Sequence, residues 1–289
     1  MRRQLGSRRA GSVVVGIGDD AAVLKGAGSQ RWLFASDMLV EGVHFTRPAL
    51  PPRWIGWKAL ACNVSDIAAM GGLPRYAVVS LGLPARAPTA FVDALYAGLA
   101  RCAKRFHMAI VGGDTVRAPV VVVDVAILGT ADAARVVLRS GARVGDSVFV
   151  TGRLGGSLTS GRHARFMPRI AQAQWLVRHA RPHAMMDLSD GLASDLWQLA
   201  RASRVTLRIT EASIPVSPAG RTAWHALMDG EDFELLFTVS PRLAARMPRS
   251  IGGVPVTRIG RVTARGAGVE LVHTHGRITQ IIPQGFKHF

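Results

Sequence analysis

The chain has 289 residues, 48% of them hydrophobic, with 36 basic against 19 acidic side chains and a net charge of +17. That length accommodates two ordinary domains with separate cores, and the composition excludes a disordered chain. No apolar run approaches the roughly 20 residues of a membrane span. The basic start Met1-Arg2-Arg3-Gln4-Leu5 has no apolar stretch behind it, so no signal peptide is expected. Cys62 and Cys102 are too few for a disulfide framework, and a cytoplasmic protein with no membrane partner is expected. Only four of the 36 basic residues are lysine, and the arginines are scattered rather than gathered into a stripe. That pattern argues against a nucleic-acid surface and favours attraction of small anions.

In chain order, Arg31 to Val40 reads as a strand carrying Ser36-Asp37. Pro51-Pro52 opens a helix from about Arg53 to Met70, closed by Gly71-Gly72. Tyr76 to Leu83 is a strand, Pro88 to Phe106 a helix with Phe91, Leu95 and Leu99 spaced by four, and Met108 to Val111 a strand running into Gly112-Gly113-Asp114-Thr115. The valines of Val120 to Gly129 suggest a strand buried on both faces. Beyond a composition change near Arg135 come a strand at Ser147 to Thr151 and helices at Met167 to His179 and Ser189 to Ala202. A strand at Val205 to Ile209, a helix at Pro218 to Leu227 and a strand at Phe233 to Val239 follow, and then short strands broken by glycine. The irregular alternation predicts an α/β (α+β) protein of two domains, 1–140 and 141–289.

Twelve of the nineteen acidic residues fall in six short segments rich in small residues. These are Gly16–Asp20, Ser36–Glu41, Asn63–Asp66, Gly112–Thr115, Asp187–Asp195 and Gly230–Glu234. Oxygen-rich clusters on tight turns suit Mg²⁺, and Mg²⁺ suits polyphosphate. Each segment also has a plain reading. Gly16–Asp20 fits an acidic turn, and of its adjacent carboxylates at most one points into a given site. Asn63 and Asp66 share a helix face that could meet solvent. Gly112–Thr115 fits an ordinary turn as well as a phosphate cradle. Ser189 or Asp190 is a natural N-cap, but capping leaves Asp187 unexplained. Gly230–Glu234 fits an exposed strand start, with Asp232 and Glu234 on one face and Glu231 on the other. Cys62 reads as core, no zinc site is expected, and Ser157 is not in a Gly-x-Ser-x-Gly elbow, so nothing points to a protein nucleophile.

Taken in order, GIGDDAAVL (16–24), SDMLVEGVHF (36–45), KALACNVSDIAAMG (58–71), GGDT (112–115), RSGARVGD (139–146), DLSDGLASDL (187–196) and GEDFELLF (230–237) resemble the thiamine-monophosphate kinase family. The resemblance spans about residues 13–289. It implies transfer of the γ-phosphoryl group of ATP to the phosphate of thiamine monophosphate, with several Mg²⁺ ions held by carboxylates. It implies metal ligation by Asp20, Ser36, Asp37, Asp66, Asp114, Asp187 and Asp190. It also implies ATP contacts from Gly113, Asp114, Arg139 and Ser189, and acceptor contacts from His44, Glu231 and Phe286. A homodimer formed through the N-terminal sheet is expected on the same ground. Two departures bear on the site: Ala35 stands where a second Ser or Thr often precedes Ser36-Asp37, and the stretch before Asp187 is short and basic, with Arg162, His163, Arg165 and Arg169. Another ATP-dependent enzyme of the same superfamily, or a non-catalytic nucleotide-binding relative, is the alternative.

Overall fold

The computed structural model describes residues 11–282. They form two compact units, one from residues up to Ala68 with Gly72–Ala134 and Ala164–Pro168, the other from Ala69–Gly71, Arg135–His163 and Arg169 onward.

The first unit contains, in order, β1 (Val13–Val15), β2 (Ala22–Lys25), β3 (Gln30–Val40), α1 (Pro52–Ala69), β4 (Leu73–Leu83), α2 (Thr89–Arg105), β5 (Ala109–Arg117) and β6 (Val122–Asp132). Its sheet runs β1-β2-β3-β6-β4-β5, with β4 and β5 parallel across the α2 crossover and the other pairs antiparallel. The expected both-face burial of the valine strand is not what forms. In β6 the odd positions Val123, Val125 and Ile127 are fully buried, while Val122, Asp124, Ala126 and Leu128 are half-buried. One face of the sheet is therefore covered and the other lies open, displaying Phe34, Met38, Tyr76 and Val78.

Helix α1 is almost wholly buried, with Ile55, Leu60, Val64 and Ile67 at 0% exposure, which accounts for its lack of a polar stripe. It meets α2 at backbone distance. A Cβ on Gly56 would lie 2.0 Å from the Leu95 carbonyl oxygen, and one on Gly98 would lie 1.9 Å from that of Arg53.

The second unit contains β7 (Ser147–Thr151), α3 (Ile170–His179), β8 (Ala184–Asp187), α4 (Leu192–Ser203), β9 (Val205–Thr210), α5 (Ala223–Met228), β10 (Leu235–Val239), α6 (Pro241–Ala244), β11 (Ser250–Ile251), β12 (Val254–Arg265), β13 (Gly268–Val272) and β14 (Ile278–Gln280). Its sheet runs β14-β13-β9-β12-β7-β10-β8, with β11 paired to β12. Leu192, Leu196 and Leu199 of α4 pack with Val148, Val150, Met186, Leu207, Leu236 and Val262 in one apolar core. The glycine-broken tail is more regular than its composition suggests, because β12 continues through Gly260, shifting register against β7 between Arg258 and Gly260 and against β9 between Val262 and Ala264. Both sheets are mixed, and the fold is of the α+β kind.

Candidate active site

In the first unit the turn between β1 and β2 separates the two adjacent acids as expected. Asp20 is 9% exposed, and Asp19 Oδ1 accepts the Asp20 N–H at 3.2 Å. Asp66, near the end of α1, is the half-buried member of an otherwise buried stretch; Asn63 and Ser65 beside it are 0% and 1% exposed rather than solvated. Asp20 and Asp66 each offer a carboxylate oxygen within 4.8 Å of the other's. Two carboxylates so close repel unless a cation or proton lies between them. The all-oxygen donor set fits Mg²⁺ rather than a thiolate- or imidazole-bound metal.

The other acids of this unit divide between faces of its sheet. Asp37 is paired with Val125, on the covered face, whereas Ser36 is exposed on the open one. The Ser36 hydroxyl donates to Asp124 Oδ1 at 3.0 Å. Asp124 and Asp114 both lie opposite Ser80 of β4, one from each flanking strand. Within one chain, then, Ser36 and Asp114 share the open face and Asp37 does not. Sequence reasoning missed Asp124, which lies within the valine run read as a strand buried on both faces. Gly112–Thr115 is not a turn after a strand but lies inside β5, where the ladder shifts register between Ala77 and Val78. Asp114 Oδ1 accepts the Thr115 N–H at 2.8 Å.

His44 follows β3 in a tight turn. Its Nδ1 accepts the Val40 N–H at 3.0 Å, so a neutral ring carries its proton on Nε2. The wholly buried Lys58 donates its Nζ to the His44 carbonyl at 3.1 Å. Glu41 ties the turn down by accepting from Arg47 Nε at 2.5 Å and the Val121 N–H at 3.0 Å. Burial pushes the Glu41 carboxyl up, but those two donors outweigh it and leave the pKa below its ordinary value.

In the second unit Asp187 ends β8 and is 2% exposed. Neither Ser189 nor Asp190 caps the following helix: the N-cap is Gly191, at a φ of 106° that disfavours other residues. Capping therefore accounts for none of the three polar residues. Asp195, fully buried one turn into α4, accepts the Asp190 N–H at 3.2 Å. Gln198 joins two of the expected site residues: its Nε2 donates to Asp190 Oδ2 at 3.2 Å, and its Oε1 accepts from Arg139 at 2.5 Å. Nothing in the sequence marked this neutral residue in an amphipathic helix.

The segments 187–190 and 231–234, separate in sequence, are laced together. Glu231 N–H donates to Ser189 O at 2.7 Å, Phe233 N–H to Leu188 O at 2.7 Å, and Leu188 N–H to Glu234 O at 2.9 Å. Residues 230–234 are not an exposed strand start, since Asp232 and Glu234 are 2% and 0% exposed and β10 begins only at Leu235. Asp232 accepts from Gly155 N–H, Ser157 Oγ and Arg162; Glu234 accepts from Thr151 Oγ1 at 2.7 Å and from two nitrogens of Arg169. Burial pushes the Asp232 carboxyl up to about 6, against the pull of Ser157, Gly155 and Arg162, with Glu234 adding to the rise. Glu231 takes the other side, its carboxylate 3.2 Å from His163 Nδ1. Phe286 lies outside the described residues.

Two family profiles match the chain: AIR synthase related protein, N-terminal domain, over residues 18–131, and AIR synthase related protein, C-terminal domain, over residues 154–273. Thiamine-monophosphate kinase of Rhodopirellula baltica is 41% identical, the match covering 98% of this chain and 93% of that protein. The Bacillus subtilis enzyme of the same name is 36% identical over 96% and 94%. Among solved structures, AaThiL complexed with AMPPCP and TMP superposes with a TM-score of 0.83 at 34% identity, covering 94% of this chain and 92% of that one. Hydrogenase maturation protein HypE in complex with ATP, at 20% identity and a TM-score of 0.75, shares the fold. With such identity sustained along nearly its whole length, the chain belongs to the thiamine-monophosphate kinase family.

Proposed function

We propose that this protein transfers the γ-phosphoryl group of ATP to the phosphate of thiamine monophosphate, giving thiamine diphosphate and ADP. The observation that carries the reading is the convergence of residues 187–190 and 231–234, which joins Ser189, on the nucleotide side, to Glu231, on the acceptor side, through one backbone hydrogen bond. Mg²⁺ would be held by Asp20, Ser36, Asp37, Asp66, Asp114, Asp187 and Asp190, and when bound it offsets the negative charge of the two phosphate groups that must meet. Gly113, Asp114, Arg139 and Ser189 bind ATP, with the Arg139 guanidinium suited to a phosphate. His44 donates from Nε2 to the acceptor phosphate, and Glu231 and Phe286 take its organic portion. Nothing here calls for a protein nucleophile: the acceptor phosphate oxygen forms the new P–O bond as the bond from the γ-phosphorus to the β-bridging oxygen breaks, and the residues supply alignment.

The first half, 1–140, carries most of the metal and ATP residues and dimerises. Its open sheet face displays Phe34, Met38, Tyr76 and Val78, an apolar patch that a second copy would cover. β6 is central in that sheet, so it is this open face, and not a strand edge, that supports the dimer. No helix among the described residues is long and apolar enough to cross a membrane, and we place the protein in the cytoplasm with its two small-molecule substrates. Incubating purified protein with ATP, Mg²⁺ and thiamine monophosphate, and identifying products by mass, tests the reading; ADP without thiamine diphosphate would refute it. Light scattering that gave a monomer mass would refute the dimer.

A further inference from the structure

We propose that His163 is a positioning residue that sets affinity for the phosphate acceptor by holding Glu231. The proposal rests on Glu231 being an acceptor contact, as argued above.

Glu231 stands on a backbone that does not orient a side chain by itself. Both Glu231 and Phe233 have left-handed φ, 53° and 50°, which non-glycine residues adopt at a cost and keep only where neighbours enforce it. The enforcing contacts alternate along the loop. Asp232 and Glu234 turn inward and are saturated by Gly155, Ser157 and Arg162 and by Thr151 and Arg169, while the backbones of Glu231 and Phe233 bond to residues 189 and 188. That fixes the main chain but not the Glu231 carboxylate, which stands on three rotatable bonds.

A single turn of 3₁₀ helix, Arg162–Ala164, reaches that carboxylate. Arg162 binds Asp232, and its neighbour His163 binds Glu231, so two adjacent residues grip two adjacent residues. The His163 and Glu231 side chains are only 12% and 21% exposed, so solvent competes weakly for the pair. A carboxylate held in one rotamer has less freedom to lose when it meets the amino and cationic groups of the acceptor, and that saving appears as affinity. His163 touches neither substrate in this account and acts only through Glu231.

The test is a set of steady-state measurements on His163→Leu, His163→Gln, Glu231→Gln and the double variant His163→Leu/Glu231→Gln, each checked for cooperative thermal unfolding. Leu fills the site without a donor, and Gln restores one. His163→Leu should raise KM for thiamine monophosphate about tenfold, the scale of one hydrogen bond to a charged group, and leave kcat and KM for ATP near wild type. His163→Gln should recover most of that loss, which a purely structural defect would not. In the double variant the leucine should add nothing to the effect of Glu231→Gln. If Glu231→Gln raises acceptor KM but His163→Leu does not, or the two effects add, the positioning role is wrong and the acceptor contact survives. If Glu231→Gln leaves acceptor KM unchanged, the reading of Glu231 fails and this proposal fails with it.

Discussion

The two units use the same side chains to opposite ends. In the first, Asp20 and Asp66 bring carboxylate within 4.8 Å of carboxylate, an arrangement that a cation or a proton would stabilise. In the second, Asp232 and Glu234 bring carboxylate against guanidinium, hydroxyl and backbone N–H, an arrangement already complete in the folded chain. Both pairs sit in short acidic segments rich in small residues, so residue type and spacing do not separate them. What separates them is the identity of the partners: an acid facing an acid is poised for a cation, while an acid ringed by donors holds the fold.

That contrast breaks if acids of both kinds respond alike to substitution. The largest effect should come from Glu234→Ala, which leaves Arg169 facing a buried gap and should cost about 3–5 kcal/mol of stability, measured by denaturant unfolding. If stability is unchanged while activity is lost, Glu234 belongs with the catalytic acids. Next, Asp66→Asn and Asp20→Asn should each lower kcat about a hundredfold, or roughly 3 kcal/mol, while unfolding stays cooperative. Raising Mg²⁺ should recover part of that loss, and near-normal turnover in both would end the metal reading. A smaller effect is expected for Gln198→Met, which keeps the helix but cuts the bridge between Arg139 and Asp190; KM for ATP should rise about fivefold to tenfold, the value of one or two ordinary hydrogen bonds.

The smallest concerns pH. Asp232 titrates near 6 in the folded protein against an unperturbed 3.8, so the native state holds its proton more tightly than the unfolded chain does. The stability this group contributes is therefore full below 3.8 and is lost as pH rises through about 6. Unfolding free energy measured across that window should slope downward with pH from this residue, and Asp232→Asn should flatten the slope.

Periodic and punctuated features of the fold were legible in the sequence, and features decided by distant partners were not. Helix α1 was plain because Pro52 and Gly71-Gly72 bracket it, and β7 because its apolar residues lie between clear turns. Gly112–Thr115 misled because glycine normally ends strands, whereas pairing with β4 carries β5 through it. Ser189 and Asp190 misled because both are good caps, yet the helix begins at Leu192, after Gly191 takes a backbone conformation they would resist. Within the candidate site, alternation correctly put Glu231 apart from Asp232 and Glu234. Their burial depended on Arg162 and Arg169, some 65–70 residues away, and no local pattern reveals such partners. Asp124 and Gln198 went unseen for the same reason.

The central place of β6 has a consequence for how the protein is made. It is the last strand of the first sheet to be synthesised, yet it lies between β3 and β4, pairing Gln30 with Asp132 and Val40 with Val122. A ribosome adding about 5–20 residues per second leaves β3 without that neighbour for several seconds at least. During that time a long strand edge carrying Trp32, Leu33 and Phe34 has only β2 beside it. The nascent chain is then most exposed to mispairing, with its own copies or with other strands, just before residues 122–132 emerge.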